Sequence, residues 1–285
     1  MSLLNQCLLQ HTLRCMEIWG GNQAAEMNVS TPGLELWLFS RPYEHGSEGG
    51  DVHYVSLCGG GVITRFILAD VAGHGEGVAA VARALRTLMR KNINRKRQAR
   101  LVADLNRQFT ELAQTGRFAT AIVATYLATT RQLTISNAGH PPPVVYRAAA
   151  RAWSPLASGS DERRTRAGNL PFGIDDQGAY DQTVVPLESG DFLLFYTDGL
   201  VEMQNAHDEP LGESGLLEIV RSLDLTRPTQ AAQTLGARLE TFREGRTVGD
   251  DQTFLLLRHS PGPPRRISIR EKLDVYAKVF RLKTV

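Results

Sequence analysis

A chain of 285 residues, 42% hydrophobic and 22% charged, has the composition of an ordinary globular protein with room for one large domain and short extensions, which excludes wholesale disorder and fibrous repeats. No apolar run approaches the roughly 20 residues that span a bilayer, and the N-terminus lacks the basic start of a signal peptide, so a cytoplasmic location is expected. The net charge of +2 is unevenly placed: residues 265–285 carry seven basic and two acidic side chains, leaving the remainder slightly negative, so nucleic acid is not an expected partner.

At the N-terminus Leu4, Leu8, His11, Cys15 and Ile18 recur at four-three spacing, which predicts a short helix ending before Gly20 and Gly21. Residues 34–40, 52–57 and 62–69 are rich in β-branched and aromatic residues and bounded by glycines, so they read as strands. Gly59 to Gly61 make the second and third a hairpin. Two amphipathic helices follow, one through Val78, Ala82, Leu85 and Met89, the other through Leu101, Leu105, Phe109 and Leu112. Further strands are expected at 118–128, 132–138, 144–147, 184–187 and 191–197. Helices near 214–223 and 229–243 precede a last strand at 252–258. The run SPGPP (260–264) cannot continue a strand or a helix and marks a boundary. The expected division is therefore an extension over 1–30, a domain over 31–259 and a basic tail over 260–285. Strand blocks interrupted by paired helices imply an α+β fold with antiparallel sheets and helices packed outside.

Three cysteines, Cys7, Cys15 and Cys58, lack CxxC spacing and a nearby histidine cluster, so reduced thiols are expected rather than disulfides or a zinc knuckle. The carboxylates carry more information. Asp51 precedes one strand of the glycine-closed hairpin and Asp70 follows the other, so antiparallel pairing brings both to one edge. Asp198 and Asp250 meet in the same way if the strands at 191–197 and 252–258 pair antiparallel. Asp51, Asp198 and Asp250 lie beside glycine or another acid, in GGD, YTDG and GDDQT, and Asp70 stands three residues before Gly73 in DVAGHG, where a backbone can turn sharply. Four carboxylates at one rim repel unless cations lie between them, which points to a binuclear metal centre. All-oxygen ligation suits Mg²⁺ or Mn²⁺ better than Zn²⁺.

Seven motifs then stand in order: GGD (49–51), ADVAGHGEGVAA (69–80), RFATAIVATY (117–126), NAGHPPP (137–143), LPFGI (170–174), LFYTDGLVE (194–202) and GDDQT (249–253). On these, residues 47–258 resemble the SpoIIE-type phosphatases, a branch of the metal-dependent serine/threonine protein phosphatases related to protein phosphatase 2C. The resemblance implies an αββα four-layer sandwich, two divalent cations (Mn²⁺ or Mg²⁺), and hydrolysis of phosphoserine or phosphothreonine on a regulatory protein such as a phosphorylated anti-sigma-factor antagonist. It also implies roles position by position. Asp70 resembles the carboxylate bridging both metals and the carbonyl of Val71 its neighbouring backbone ligand. Asp198 and Asp250 match further ligands, and Asp51 an acid acting through coordinated water. Asp250 is preferred to Asp251 because it stands three residues before Thr253, with Asp251 kept as the alternative. For the arginine with which some relatives grip phosphate, Arg41 is the nearest candidate.

The GHGEG run (73–77) has its third glycine one residue early for a dinucleotide loop, and the stretch that should supply a ribose-binding acid is basic. His74 is a candidate general acid, set against the plainer reading that it and His140 bond within their own turns. Six basic residues between Arg90 and Arg100 read first as a solvated corner and second as a dock for an acidic partner. In the tail, Leu273, Tyr276, Val279 and Phe280 make an apolar stripe, for which docking on the body or disorder ranks above contact with a membrane or a partner. A homodimer is compatible with all of this. Two rival functions remain: a phosphatase-fold binding module without turnover, and a small-metabolite phosphatase.

Overall fold

The computed structural model describes residues 10–262 apart from positions 16, 59, 74, 93, 94, 96, 114, 115 and 157–168. In chain order the strands are β1 (Gln10–Thr12), β2 (Ile18–Gly21), β3 (Ala25–Thr31), β4 (Leu34–Arg41), β5 (Asp51–Cys58) and β6 (Ile63–Val71). Helices α1 (Glu76–Asn92) and α2 (Gln98–Leu112) follow, then β7 (Ala119–Leu127), β8 (Gln132–Ala138), β9 (Val144–Arg147), β10 (Ala152–Pro155), β11 (Thr183–Pro186) and β12 (Phe192–Tyr196). The chain continues through α3 (Asp198–Val201), α4 (Gly212–Arg221), α5 (Pro228–Arg243) and β13 (Gln252–His259).

These strands form two sheets, a seven-stranded one in the order β1-β3-β4-β13-β12-β9-β10 and a six-stranded one in the order β11-β8-β7-β6-β5-β2. Every pairing is antiparallel except β1 with β3. Period-two alternation explains the layering. From β13, Leu255 and Leu257 enter the core between the sheets with Phe66, Leu68, Ile122 and Phe195. Phe254 and Leu256 point the other way, to a core with Leu216, Val220, Leu235 and Leu239 of α4 and α5. Covered on both faces, β13 reads as a continuous apolar run rather than an alternation. On the six-stranded sheet, Tyr54, Ile67 and Val123 meet Leu85, Met89, Leu101 and Phe109 of α1 and α2. Burial of each such side chain contributes about 1.5–3 kcal/mol. The result is the expected α+β arrangement of two sheets with helices on both outer faces.

The N-terminal helix is a correction. His11 lies in β1 and Ile18 in β2, and residues 25–31 form β3 against β4. The sheets therefore start before residue 31, because backbone pairing with β3 and β5 outweighs a weak apolar stripe. The rest of that stripe, Leu4 and Leu8, falls outside the described residues, as does the tail from residue 263. Cys15 and Cys58 are free thiols, and Cys7 is outside the described residues. Among the described residues no helix is long and apolar enough to cross a membrane.

Candidate active site

The β5–β6 hairpin sets Asp51 directly opposite Asp70. In the other sheet, β12 and β13 pair antiparallel through Tyr196 opposite Phe254, so Asp198 and Asp250 follow and precede that register at the same end. The Thr197 side chain joins the two sheets there. The Thr197 hydroxyl, fully buried, donates to Asp51 Oδ2 at 2.9 Å and accepts the backbone N–H of Thr253 at 3.0 Å. Asp198 comes next and opens α3, where its negative charge suits the first turn of a helix.

Asp251 is tied in a different way. Its Oδ1 accepts the backbone N–H of Tyr43 at 2.6 Å and its Oδ2 that of Gly50 at 2.5 Å, so it pins the loop before β5 to the start of β13. The glycines make this approach feasible: a Cβ on Gly49 would lie 2.3 Å from Asp251 Oδ1, and one on Gly199 would lie 2.0 Å from the Asp251 carbonyl. Gly50 packs against the carbonyl of Val71, 2.9 Å from where its Cβ would be, so that buried residue's oxygen borders the same corner. Asp250 Oδ1 accepts the N–H of Asp251 at 2.7 Å.

Burial and mutual repulsion raise these acids. Asp51, 2% exposed, is pushed well above the usual carboxylate range by burial, then by Asp70 and Asp251, against the lowering effect of hydrogen bonds from Thr253 and Thr197. Asp70 is pushed up to about 8 by burial, then by Asp198, Asp250 and Asp251. Asp250 is raised to about 6, again first by burial, with Asp198, Asp251 and Glu202 adding to it and the Asp251 N–H opposing. Five carboxylates thus share one field. Among the described residues, however, no three His, Cys, Asp or Glu side chains stand in a geometry that could hold a metal ion. Asp70 and Asp198 share a side-chain hydrogen bond, and the other acids act on them through space.

The donor set fits a hard divalent cation on two counts. Asp51 Oδ1 is buried without a hydrogen-bond partner, and all the candidate donors are oxygens. Of the residues singled out from sequence, the fold brings Asp51, Asp70, Val71, Asp198, Asp250 and Asp251 to one end of the two sheets. His74 lies outside the described residues. His140 is buried, bonds Thr120 Oγ1 through Nδ1 at 2.8 Å and closes its own turn through Asn137; burial lowers its pKa to about 3, so it stays neutral. Arg41 is not available to a phosphate in the expected way, because its guanidinium pairs with Glu240 of α5 and stacks over Phe39. Thr197 and Glu202 were missed. Both lie inside the quoted LFYTDGLVE motif, the only signal the sequence offers for them.

Comparison with known proteins agrees with this fold. The profile of the family described as Stage II sporulation protein E (SpoIIE) matches residues 61–260, well over half of the chain. Among solved structures, the RsbU and RsbW domains of Rv1364c from Mycobacterium tuberculosis superpose with a TM-score of 0.68 at 23% identity, covering 91% of this chain and 70% of that one. The SiaA-PP2C domain of Pseudomonas aeruginosa gives 0.65 at 18% identity, over 78% of this chain and 85% of that one. RsbX in complex with magnesium gives 0.59 at 16% identity, over 83% of this chain and all of that one. At these identities the likeness is one of fold. With the family profile matching residues 61–260, the chain belongs to the SpoIIE family of protein-phosphatase-2C-type serine/threonine phosphatases.

Proposed function

We propose that the chain is a Mg²⁺- or Mn²⁺-dependent phosphatase acting on phosphoserine or phosphothreonine of a regulatory protein. The observation that carries this reading is the meeting of five carboxylates from both sheets at one end of the fold, with Asp51 directly opposite Asp70. Asp70, Asp198, Asp250 and the Val71 carbonyl would hold two cations, with Asp51 acting through water. Asp251 is assigned to the backbone of residues 43 and 50 instead, since both of its oxygens are already used there. Bound cations would acidify a water and neutralise phosphoryl oxygens, so no protein nucleophile is required. The protein's own part is to keep the acids in register through the Thr197 link. It also holds His140 neutral within its turn, so His140 is not assigned as an acid.

The solved magnesium complex of RsbX, a fold relative, supports the choice of cation. The RsbU and RsbW domains of the mycobacterial relative support a partner-switching substrate. The test is turnover with and without Mn²⁺ on p-nitrophenyl phosphate and on a phosphoserine protein. Cation-dependent release of phosphate from both supports the reading. Binding of the phosphoprotein without turnover would replace it with a recognition module, and turnover confined to small phosphates would replace the substrate.

A further inference from the structure

The reading above leaves the substrate's phosphate without a protein group to grip it, since Arg41 is held by Glu240. A cavity of about 310 Å³ beside Asp250 offers one. Its walls include Glu202, Met203, Arg243, Arg246, Thr247 and Asp250, so acids stand on the side of the carboxylate cluster and two arginines come from the end of α5 and the turn after it. The volume lies at the small end of ligand sites, enough for a phosphoryl group and the stem of its side chain.

The two arginines are not equivalent. Arg243 is mostly buried, donates Nη1 to the carbonyl of Arg246 and Nη2 to Glu240 at 2.6 Å, and so fixes the turn that carries its neighbour. Arg246 is 38% exposed and donates Nη1 to the carbonyl of Asn205 at 2.8 Å and to Asp208 at 2.5 Å. Asp208 is 76% exposed, so that pair is solvated and weak. Neither Nε nor Nη2 of Arg246 takes part in these bonds. Anchored from one nitrogen, the guanidinium keeps donors of its planar fork for an oxyanion. A cation held by Asp250 would leave the cavity net positive toward whatever enters it.

We propose that this cavity is the oxyanion subsite for the substrate, with Arg246 as the gripping residue and Arg243 as the residue that positions it. The inference rests on the phosphatase reading and deepens it. The oxyanion is either the reacting phosphoryl group or a carboxylate beside it in the substrate protein, and the two sources separate experimentally.

The experiment uses the full chain with Mn²⁺, Arg246→Gln and Arg246→Lys, and as a control Arg221→Gln, at the end of α4 and outside the cavity lining. Substrates are p-nitrophenyl phosphate and two phosphoserine peptides, one with acidic and one with neutral flanks, and binding of inorganic phosphate is measured by calorimetry. If the phosphoryl group is held, Arg246→Gln raises KM about tenfold for all three substrates with kcat little changed, a loss of about 1.4 kcal/mol. Phosphate binding then weakens by a similar factor, and lysine restores part of both. If a flanking carboxylate is held, KM rises for the acidic peptide alone and phosphate binding is unchanged. Unchanged KM for every substrate together with unchanged phosphate binding would overturn the subsite. An inactive wild-type protein that still binds phosphate through Arg246 would overturn the phosphatase reading and leave the subsite standing. Unfolding curves check that Arg246→Gln is folded, and Arg243→Lys, which retains the buried charge, tests the positioning role through the KM of the same substrates.

Discussion

Replacing Asp70 by asparagine should make the protein more stable and inactive at once. In the absence of added cation, Asp70 is raised to about 8 from an ordinary 3.8, mainly by burial and then by Asp198, Asp250 and Asp251. A carboxyl whose folded pKa is raised binds a proton more tightly than in the unfolded chain, so stability is full below about pH 4 and is lost as pH rises toward 8. At pH 7 the difference from 3.8 corresponds to roughly 4 kcal/mol at 1.36 kcal/mol per unit. Asp70 is not wholly buried, so solvent screening reduces this to about 2 kcal/mol. Asparagine carries no charge, keeps a donor for Asp198 and removes that cost. Urea unfolding in chelator should therefore show Asp70→Asn more stable than wild type by about 2 kcal/mol at pH 7, and by less than about 1 kcal/mol at pH 5. Turnover with Mn²⁺ should fall to near background. A mutant no more stable than wild type at pH 7, or an advantage equal at both pH values, would refute the clustering of charge around Asp70. Near-wild-type turnover at modest Mn²⁺ would refute its role as a ligand.

The neighbouring acids should separate by function: Asp250→Asn loses most activity with little loss of stability, whereas Asp251→Asn keeps more activity and costs about 1–3 kcal/mol, because its amide cannot accept both the Tyr43 and Gly50 N–H groups. Paired kinetics and urea curves check this, and equal activity losses would reverse the assignment. Thr197→Val, nearly isosteric, should destabilise by about 2 kcal/mol, since it breaks the link to Asp51 and leaves the Thr253 N–H unpaired. A double-mutant cycle with Asp51→Asn should show coupling, and additive losses would argue against the link. Removal of cation by chelator should abolish activity while the far-ultraviolet dichroism stays unchanged, because the three apolar cores do not depend on metal; cooperative unfolding on chelation alone would contradict this.

Local pattern determined much of this protein. Apolar runs bounded by glycines gave β5, β6, β12 and β13, and the glycine-closed turn placed Asp51 opposite Asp70, since a hairpin's register follows from its loop. The motif order gave the family and the set of acids. The N-terminal segment forms strands rather than the expected helix because its weak four-three apolar stripe is outweighed by backbone pairing with partners further along the chain, β1 with β3 and β2 with β5. What only the tertiary structure decided is the second layer of the site. Thr197 reaches Asp51 across 146 residues, Asp251 reaches Gly50 across 201, and Arg41 is captured by Glu240 across 199. Such contacts leave no periodic trace in sequence, because they are set by how two sheets and a helix meet in space, and side chains identical in kind, such as Asp250 and Asp251, make different contacts according to which backbone groups that meeting brings within reach.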